Sequence, residues 1–322
     1  MNTHIHLIGG TGRIGTALVS SLKAQPMKNF SYIWVYCDVS KVTKYNQEII
    51  NDHFKYSIKY KNYSDFKICN LINNNDEIQK EDRHLVINLR GVNSRINWIS
   101  RPLDAIEIQA QSIKNIIESD IHLYKNIELI HFSSQLCDLI ESNKSLQEIC
   151  EGEDSYRRAY MISRLNQEII LSAFAYKHGL LTKIIRLPAV YGFDDDFKSP
   201  WVLNSFVKQA FLNGEIIPRK SSSYVWLTHK HILVEYIRDV LDSSKDTNEE
   251  KNVSYLRPPS IGIKINDLST LVMEMISQCD SDQISYEKLI SKTIEEESQL
   301  KLNFELLKSN INELISKHSN LK

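Results

Sequence analysis

The chain has 322 residues, which is enough for two domains, or for one domain with a smaller lobe attached. Its 39 lysines and arginines nearly balance its 40 aspartates and glutamates, so its net charge gives no reason to bind nucleic acid or an anionic membrane. We therefore expect no nucleic-acid partner and no membrane partner, and chemistry on a small molecule is favoured.

The five cysteines are odd in number, widely scattered and never in a CxxC pair, which is typical of free thiols in a reducing compartment. No basic and apolar leader is recognisable after Met1, and no apolar run approaches the roughly 18 residues that span a bilayer. These features predict a cytoplasmic protein.

Short apolar runs alternate with helical patterns along the first part of the chain. The runs that resemble buried parallel strands are 4–9, 32–38, 84–91, 127–134 and 181–192. The candidate helices between them are 14–23, 41–52, 104–119 and 157–177. Because parallel neighbours need crossover connections, this order predicts an α/β fold with a doubly wound parallel sheet. Such sheets bind ligands at the carboxyl ends of their strands.

The first strand leads into the stretch IGGTGRIG, in which Gly9, Gly12 and Gly15 are spaced three apart. Glycine is needed there because the turn is tight, the backbone must approach a pyrophosphate, and the helix must pack closely on the strand. The helix that follows begins near Arg13 and Ile14, and its N-terminus offers unpaired N–H groups to the phosphates. The pattern predicts a dinucleotide site; a glycine-rich turn without a ligand is the alternative.

The second strand ends at Asp38, whose carboxylate can accept hydrogen bonds from both ribose hydroxyls of an adenosine and repel a 2′-phosphate. This favours NAD over NADP as the cofactor. Asp38 could instead cap the helix that follows, and Arg13 or Lys41 could accommodate a phosphate, so NADP stays open.

Four further stretches follow the glycine motif: NLRG (88–91), HFSS (131–134), YMISR (160–164) and RLPAVYG (186–192). With them the sequence resembles the extended short-chain dehydrogenases/reductases, in the NAD-dependent epimerase/dehydratase family that acts on nucleotide sugars. The resemblance implies a Rossmann-type NAD(P)-binding domain over 1–192 and a smaller substrate-binding lobe over 193–322, whose elements can interleave. It also implies that Asn88 and Arg90 contact the cofactor.

In that family a serine or threonine closing the fifth strand hydrogen-bonds the reacting oxygen of the sugar, and the resemblance implies this role for Ser134. Ser133 is the alternative, on the other face of the strand. A tyrosine on the next helix is the family's acid/base, and Tyr160 matches it.

Four residues after that tyrosine the family carries a lysine, which stabilises the phenolate and holds the nicotinamide ribose, and this chain has Arg164 there. A free phenol has a pKa near 10, so acid/base work at neutral pH calls for a nearby cation. Arginine keeps the charge but is longer and planar. The resemblance implies catalytic and cofactor-binding roles for Tyr160 and Arg164. The alternative is an ion pair of Arg164 with Glu168 on a solvated helix face.

Dehydratases of the family place an Asp-Glu pair directly after the serine or threonine, whereas Gln135 and Leu136 follow Ser134. Chemistry without elimination remains, which is either reduction of a 4-keto sugar or C4 epimerisation.

Family members often hold the substrate diphosphate with an arginine, but Tyr224 stands at that position and His231 replaces a nearby acid. Three basic residues could replace it, although each is also explained as a surface charge: Arg219, Lys220 and Arg257.

His229 and His231 have no third ligand at a recognisable spacing, so we predict no metal site.

The predicted function is NAD(P)-dependent 4-keto reduction of a nucleotide-activated sugar, supplying a deoxysugar for a surface polysaccharide. A C4 epimerase of the same family and a non-catalytic dinucleotide-binding sensor or assembly protein are the alternatives. The resemblance also implies a homodimer joined through helices 104–119 and 157–177.

Overall fold

The computed structural model describes most of the chain. The described residues are 2–25, 27, 30–37, 57–62, 66, 81–92, 95–123, 126–138, 155–192, 202–218, 223–243, 252–277 and 297–319. Asp38, Lys41, Arg219, Lys220 and the predicted helix 41–52 lie outside these residues.

Ten strands and eight α-helices lie within the described residues. The strands are β1 (Thr3–Ile8), β2 (Phe30–Cys37), β3 (Ser57–Asn62), β4 (Arg83–Asn88), β5 (Ile127–Ser134), β6 (Leu181–Leu187), β7 (Ala189–Tyr191), β8 (Tyr224–His229), β9 (Val253–Leu256) and β10 (Ile261–Lys264). The helices are α1 (Arg13–Ala24), α2 (Arg95–Ser100), α3 (Pro102–Ile117), α4 (Ser155–His178), α5 (Val202–Asn213), α6 (Lys230–Asp242), α7 (Ile265–Ser277) and α8 (Glu297–Ser319). Short 3-10 turns cover Ile121–Leu123 and Gln135–Cys137.

The larger sheet has seven strands in the order β3-β2-β1-β4-β5-β6-β9, and all its pairings are parallel. The chain leaves β1 in one direction across the sheet to β2 and β3, and then returns to place β4 on the other side of β1. The carboxyl ends of β1 and β4 therefore meet at a topological switch point, where doubly wound sheets bind their ligands. This order confirms the predicted α/β fold with a doubly wound parallel sheet.

The central strands of this sheet are buried, although they are not wholly apolar. β1 and β5 are buried along their whole length, which is typical of parallel strands with both faces covered. In one core cluster Ile113 and Ile116 of α3 pack with Leu171 and Ala175 of α4 against strand residues such as Leu129. The two helices that lie over this face are thus held by the same core.

The predicted strand 181–192 is in fact two strands that belong to different sheets. β6 ends at Leu187 in the larger sheet, and β7 pairs in parallel with β8 in a three-stranded sheet of order β10-β8-β7. Pro188 stands between them and has no N–H to donate to a ladder, so the strand is interrupted there. The prediction of one continuous strand was wrong at this residue.

The chain forms two compact units. The first contains residues 1–187 and 237–257, and the second contains residues 188–236 and 258–322. The first unit holds the seven-stranded sheet; the second has its own core, in which Phe304, Leu307 and Ile311 of α8 pack with Leu268 and Leu271 of α7. Among the described helices, none combines the length and the apolar character that crossing a membrane requires.

Candidate active site

The loop between β1 and α1 turns at Gly9, whose φ of 85° lies in the left-handed region that favours glycine. Gly9 N donates to Tyr36 O at 2.9 Å. A Cβ on Gly9 would lie 2.8 Å from Arg90 N, and a Cβ on Gly15 would lie 2.5 Å from Gly10 Cα. The turn therefore touches the segment after β4 on one side and the first turn of α1 on the other, with no room for a side chain at either contact.

The N-cap of α1 is Gly12, which has no side chain to satisfy the end of the helix. No side chain caps it at Gly12, and its first turn has no acidic residue. Its first intrahelical bond runs from Thr16 N to Gly12 O at 2.8 Å. The N–H groups of Arg13, Ile14 and Gly15 precede that bond, so this end of the helix suits an anion.

Asn88 ends β4 as a buried residue that joins two neighbouring segments. Its Oδ1 accepts a hydrogen bond from Arg90 N at 3.2 Å, so its Nδ2 is left to donate to His131 Nδ1 on β5, also at 3.2 Å. Burial, together with the positive charge of Arg164, lowers the pKa of His131 to about 3. His131 is therefore neutral at pH 7 and can accept this bond at Nδ1.

The two serines that end β5 have different environments, as the alternation of a strand requires. Ser133 is buried, and its hydroxyl donates to Glu168 Oε1 and lies 3.7 Å from Cys137 Sγ. Ser134 Oγ instead accepts a hydrogen bond from Leu136 N at 3.3 Å. Both serines are buried, but the Ser133 hydroxyl donates within the protein, whereas among the described residues Ser134 Oγ only accepts, so its proton can go to another acceptor.

Tyr160 lies near the start of α4 and is partly exposed. Its ring makes an edge contact with Trp98 of α2, with the ring centroids 5.7 Å apart, and it also packs with Val92 and Ala105. Trp98 Nε1 donates to Val92 O at 2.7 Å, which fixes the indole against the segment after β4. These contacts place Tyr160 beside the carboxyl end of β4.

Arg164 lies one turn further along α4 and is only 4% exposed. Its Cζ lies 5.5 Å from the centroid of the Tyr160 ring. Its Nη1 donates to Phe132 O on β5 at 3.2 Å and to Gln167 Oε1 at 3.1 Å. The interpretation of Arg164 as the partner of Glu168 on a solvated face is therefore wrong, because both side chains are buried.

Glu168 belongs instead to a buried network of charges. Arg186 on β6 binds it through Nε at 3.2 Å and through Nη2 at 2.6 Å, and Arg186 Nη1 also binds Asp138 Oδ1 at 2.5 Å. Arg257 binds both oxygens of Asp138 from the surface, at 2.8 and 3.0 Å. Burial alone would raise the pKa of Asp138, but the two guanidinium groups lower it below its usual value. The network joins α4 to the ends of β5 and β6.

The second unit holds the other histidines singled out in the sequence. His229 is buried, its backbone N donates to Asn303 Oδ1 at 3.3 Å, and its Nδ1 accepts from His231 N at 3.3 Å. Burial, with the neighbouring His231 and Lys230, lowers the pKa of His229 to about 4. Tyr224, at the position expected for a phosphate-binding arginine, is exposed with Lys264 Nζ 5.9 Å from its ring centroid. His229 is thus held by packing and backbone bonds.

A family model matches the chain over residues 5–225, which is more than half of its length, and it describes the NAD dependent epimerase/dehydratase family. The chain belongs to this family. Membership confirms the resemblance drawn from the motifs and indicates an NAD-dependent enzyme of the epimerase/dehydratase type. Among curated proteins, none matches the sequence.

Solved structures of similar fold include three proteins that match this epimerase/dehydratase family member over nearly their full length. WbmF of Bordetella bronchiseptica, in complex with NAD+, has a TM-score of 0.58 and 17% identity over 99% of this chain and 98% of its own. The UDP-glucose 4-epimerase of Thermotoga maritima, with UDP-glucose, has a TM-score of 0.62 and 15% identity over 99% and 100%. The UDP-N-acetylglucosamine 4-epimerase of Methanobrevibacter ruminantium, with UDP-N-acetylmuramic acid, has a TM-score of 0.63 and 17% identity over 100% and 99%. These similarities establish the fold.

The described residues fit the dinucleotide cofactor of the family. Side chains at Gly9 or Gly15 would fill the turn, and the uncapped N-terminus of α1 beside it has no acid to repel a phosphate. Asn88 and Arg90 lie next to the Gly9 turn, at the switch point of the sheet. Asp38 follows β2 but lies outside the described residues, so the preference for NAD over NADP stays a prediction.

Contacts of described residues link several of the predicted site residues. Arg90 touches the Gly9 turn. Tyr160 packs beside the end of β4, and Arg164 binds the backbone of β5, which is the strand that carries Ser134. Three residues near them were not singled out in the sequence: Gly91, His131 and Gln167. Gly91 and His131 lie in the quoted stretches NLRG and HFSS, and Gln167 follows Arg164 by three residues on α4, but their contacts with the site are visible only in the structure.

Proposed function

We propose that the protein is an NAD-dependent oxidoreductase that reduces the 4-keto group of a nucleotide-activated sugar. The observation that carries the proposal is the position of Tyr160 and Arg164, one turn apart on α4 and beside the carboxyl ends of β4 and β5. A phenol with a fixed cation suits proton transfer to a carbonyl oxygen, and this is the edge at which an α/β sheet binds its ligand.

Tyr160 is the proposed acid: its Oη gives a proton to the carbonyl oxygen as that oxygen becomes an alcohol. Arg164 keeps a positive charge near the phenol ring while the proton leaves. The hydroxyl of Ser134 donates a hydrogen bond to the same oxygen, and Leu136 N, which donates to Ser134 Oγ, leaves that hydroxyl proton available. When bound, the nicotinamide supplies the hydride.

The cofactor is proposed to lie across the switch point of the sheet. The N–H groups at the start of α1 would hold the pyrophosphate, and Asp38, by its place at the end of the second strand, would hold the adenosine ribose. The remaining proposed cofactor contacts are the backbone of Gly9, Gly12, Arg13, Ile14 and Gly15 and the side chains of Asn88, Arg90, Tyr160 and Arg164.

Reduction is preferred to dehydration because Gln135 and Leu136 follow Ser134, and neither can supply the extra acid and base that elimination requires. A C4 epimerase would use the same tyrosine and serine, so it is the second candidate, and a non-catalytic dinucleotide sensor is the third.

We further propose that residues 193–322 bind the sugar nucleotide, and that the product is a deoxysugar for a surface polysaccharide; both rest on the family resemblance.

A homodimer is proposed from the outer faces of α3 and α4. Ile106 on α3 and Ile162 and Ile170 on α4 are exposed, with 42%, 38% and 47% of their surfaces accessible. They line one groove between the two helices, together with Ala110 and Ala159. A second copy of the same face would cover these apolar side chains and bury them from water.

The test is oxidation of NADH or NADPH, followed by absorbance, with a panel of nucleoside-diphosphate 4-keto sugars. We expect turnover by the native protein and a loss of about 10²-fold to 10⁴-fold in Tyr160→Phe, because the variant lacks only the phenolic hydroxyl that donates the proton. Tyr176→Phe on the exposed end of the same helix is the matched control and should keep full activity. Cofactor binding without turnover across the panel would instead support the sensor.

A further inference from the structure

The guanidinium of Arg164 occupies space that exists only because residue 91 is glycine. A Cβ on Gly91 would lie 2.1 Å from Arg164 Nη2, 2.8 Å from its Cζ and 3.0 Å from its Nη1. The three nearest atoms therefore all belong to one side chain. Gly91 is not among the glycines with a positive φ, so its backbone would accept alanine, and the contact with Arg164 is what requires glycine.

Arg164 cannot easily move away from such a contact. Its side chain is buried, and Nη1 is held by Phe132 O and by Gln167 Oε1. Gln167 is itself fixed, because its Nε2 donates to Gln109 O at 2.8 Å and to Ser112 Oγ at 3.3 Å on α3. The guanidinium thus lies between the segment after β4, the backbone of β5 and an amide anchored on α3.

The same segment after β4 also borders the proposed cofactor site. Gly91 follows Arg90, whose N is 2.8 Å from the place where a Gly9 Cβ would be. Arg90 N also donates to Asn88 Oδ1. A displaced guanidinium would therefore press on a segment that is already in backbone contact with the glycine turn.

We propose that Gly91 and Gln167 are positioning residues that fit an arginine into the place where the family carries lysine. Gly91 provides room for the planar head, and Gln167 fixes its orientation beside Tyr160. The inference rests on the proposed function for the role of Arg164, but not for its geometry. Arg164 is then held in this site by contacts that suit an arginine.

The test is a double-mutant cycle on NADH binding, measured by fluorescence titration with Gly91→Ala, Arg164→Lys and the double variant. We expect Gly91→Ala to weaken binding about tenfold in the native background and less than about twofold in the Arg164→Lys background, because the shorter lysine leaves room for the Cβ. Equal weakening in both backgrounds would overturn the proposal. If Gly91→Ala alone fails to fold, recovery of folding in the double variant supports it and its absence overturns it.

Gly262→Ala is the matched control, since a Cβ there would lie 2.9 Å from the Trp226 ring in the second unit. Its effects on unfolding should add to those of Arg164→Lys, whereas those of Gly91→Ala should not. Neither titration nor unfolding needs a sugar substrate. Coupling without turnover in the sugar panel would thus reject the proposed reaction and keep this inference, and turnover without coupling would do the reverse.

Discussion

Glu168 and Ser133 show how single residues hold the end of β5 in place. The carboxylate accepts from Ser133 and from Arg186, and all three side chains are buried. Cys137, beside them, is a neutral thiol, since burial and the charge of Glu168 raise its pKa to about 12. With Ser133 committed to this network, the neighbouring Ser134 is the serine proposed to reach the substrate.

We predict that Glu168→Gln lowers the free energy of unfolding by about 3 kcal/mol, because the buried guanidinium of Arg186 loses one of its two charge partners. Urea denaturation followed by circular dichroism measures this loss. Glu305→Gln, which removes an exposed pair with Lys308, is the control and should change stability by less than about 1 kcal/mol. A Glu168→Gln variant as stable as the native protein would contradict the role given to the network.

The sequence could predict Tyr160 and Arg164 because they are four residues apart on one helix, where spacing alone fixes a shared face. It could not predict that Gly91 and Phe132 contact the guanidinium, since both come from segments far from α4 in the sequence. The surface ion pair with Glu168 had the same spacing, and only burial excludes it.

Among the secondary-structure elements, the buried central strands were predicted best. β5 has the predicted bounds, whereas β3 was missed because SIKYKN alternates apolar residues with lysines and resembles a surface segment. Pro188 lies inside an apolar run, and the apolar pattern continues on both sides of it. The pattern therefore did not indicate that the chain passes from one sheet to the other at this residue. Elements with an uninterrupted pattern are visible in a sequence, but their assignment to sheets is not.

The groove between α3 and α4 gives a prediction for these two helices. Ile170→Glu places an uncompensated charge on the proposed dimer face, so we expect the variant to sediment as a monomer where the native protein sediments as a dimer. Ile217→Glu, at an exposed isoleucine of the second unit, is the control and should leave the dimer intact. A dimer that survives Ile170→Glu would place the contact on another face.

For the whole molecule, buried neutral histidines make stability depend on pH. The pKa of His131 falls from 6.5 to about 3 on folding, so below pH 6.5 the unfolded chain binds the proton and the folded chain does not. Stability is therefore lost as the pH falls from 6.5 towards 3, by up to about 1.4 kcal/mol per pH unit from this group.

Urea unfolding at pH 4 to 6 tests this dependence. We expect His131→Leu to have a shallower slope of unfolding free energy against pH than the native protein. Cys137→Ala should keep the native slope, because a thiol with a pKa of about 12 does not titrate in acid. The same slope in His131→Leu as in the native protein would show that His131 is already protonated in the folded state.

Net reduction at C4 of the sugar can be measured by hydride tracing. The protein is incubated with a nucleoside-diphosphate 4-keto sugar and reduced nicotinamide cofactor carrying deuterium at C4, on either face in separate reactions. We expect a product one mass unit heavier from one of the two labels, with the deuterium at C4 of the sugar, and no such product from Tyr160→Phe. A product without deuterium from either label, or no product at all, would contradict it.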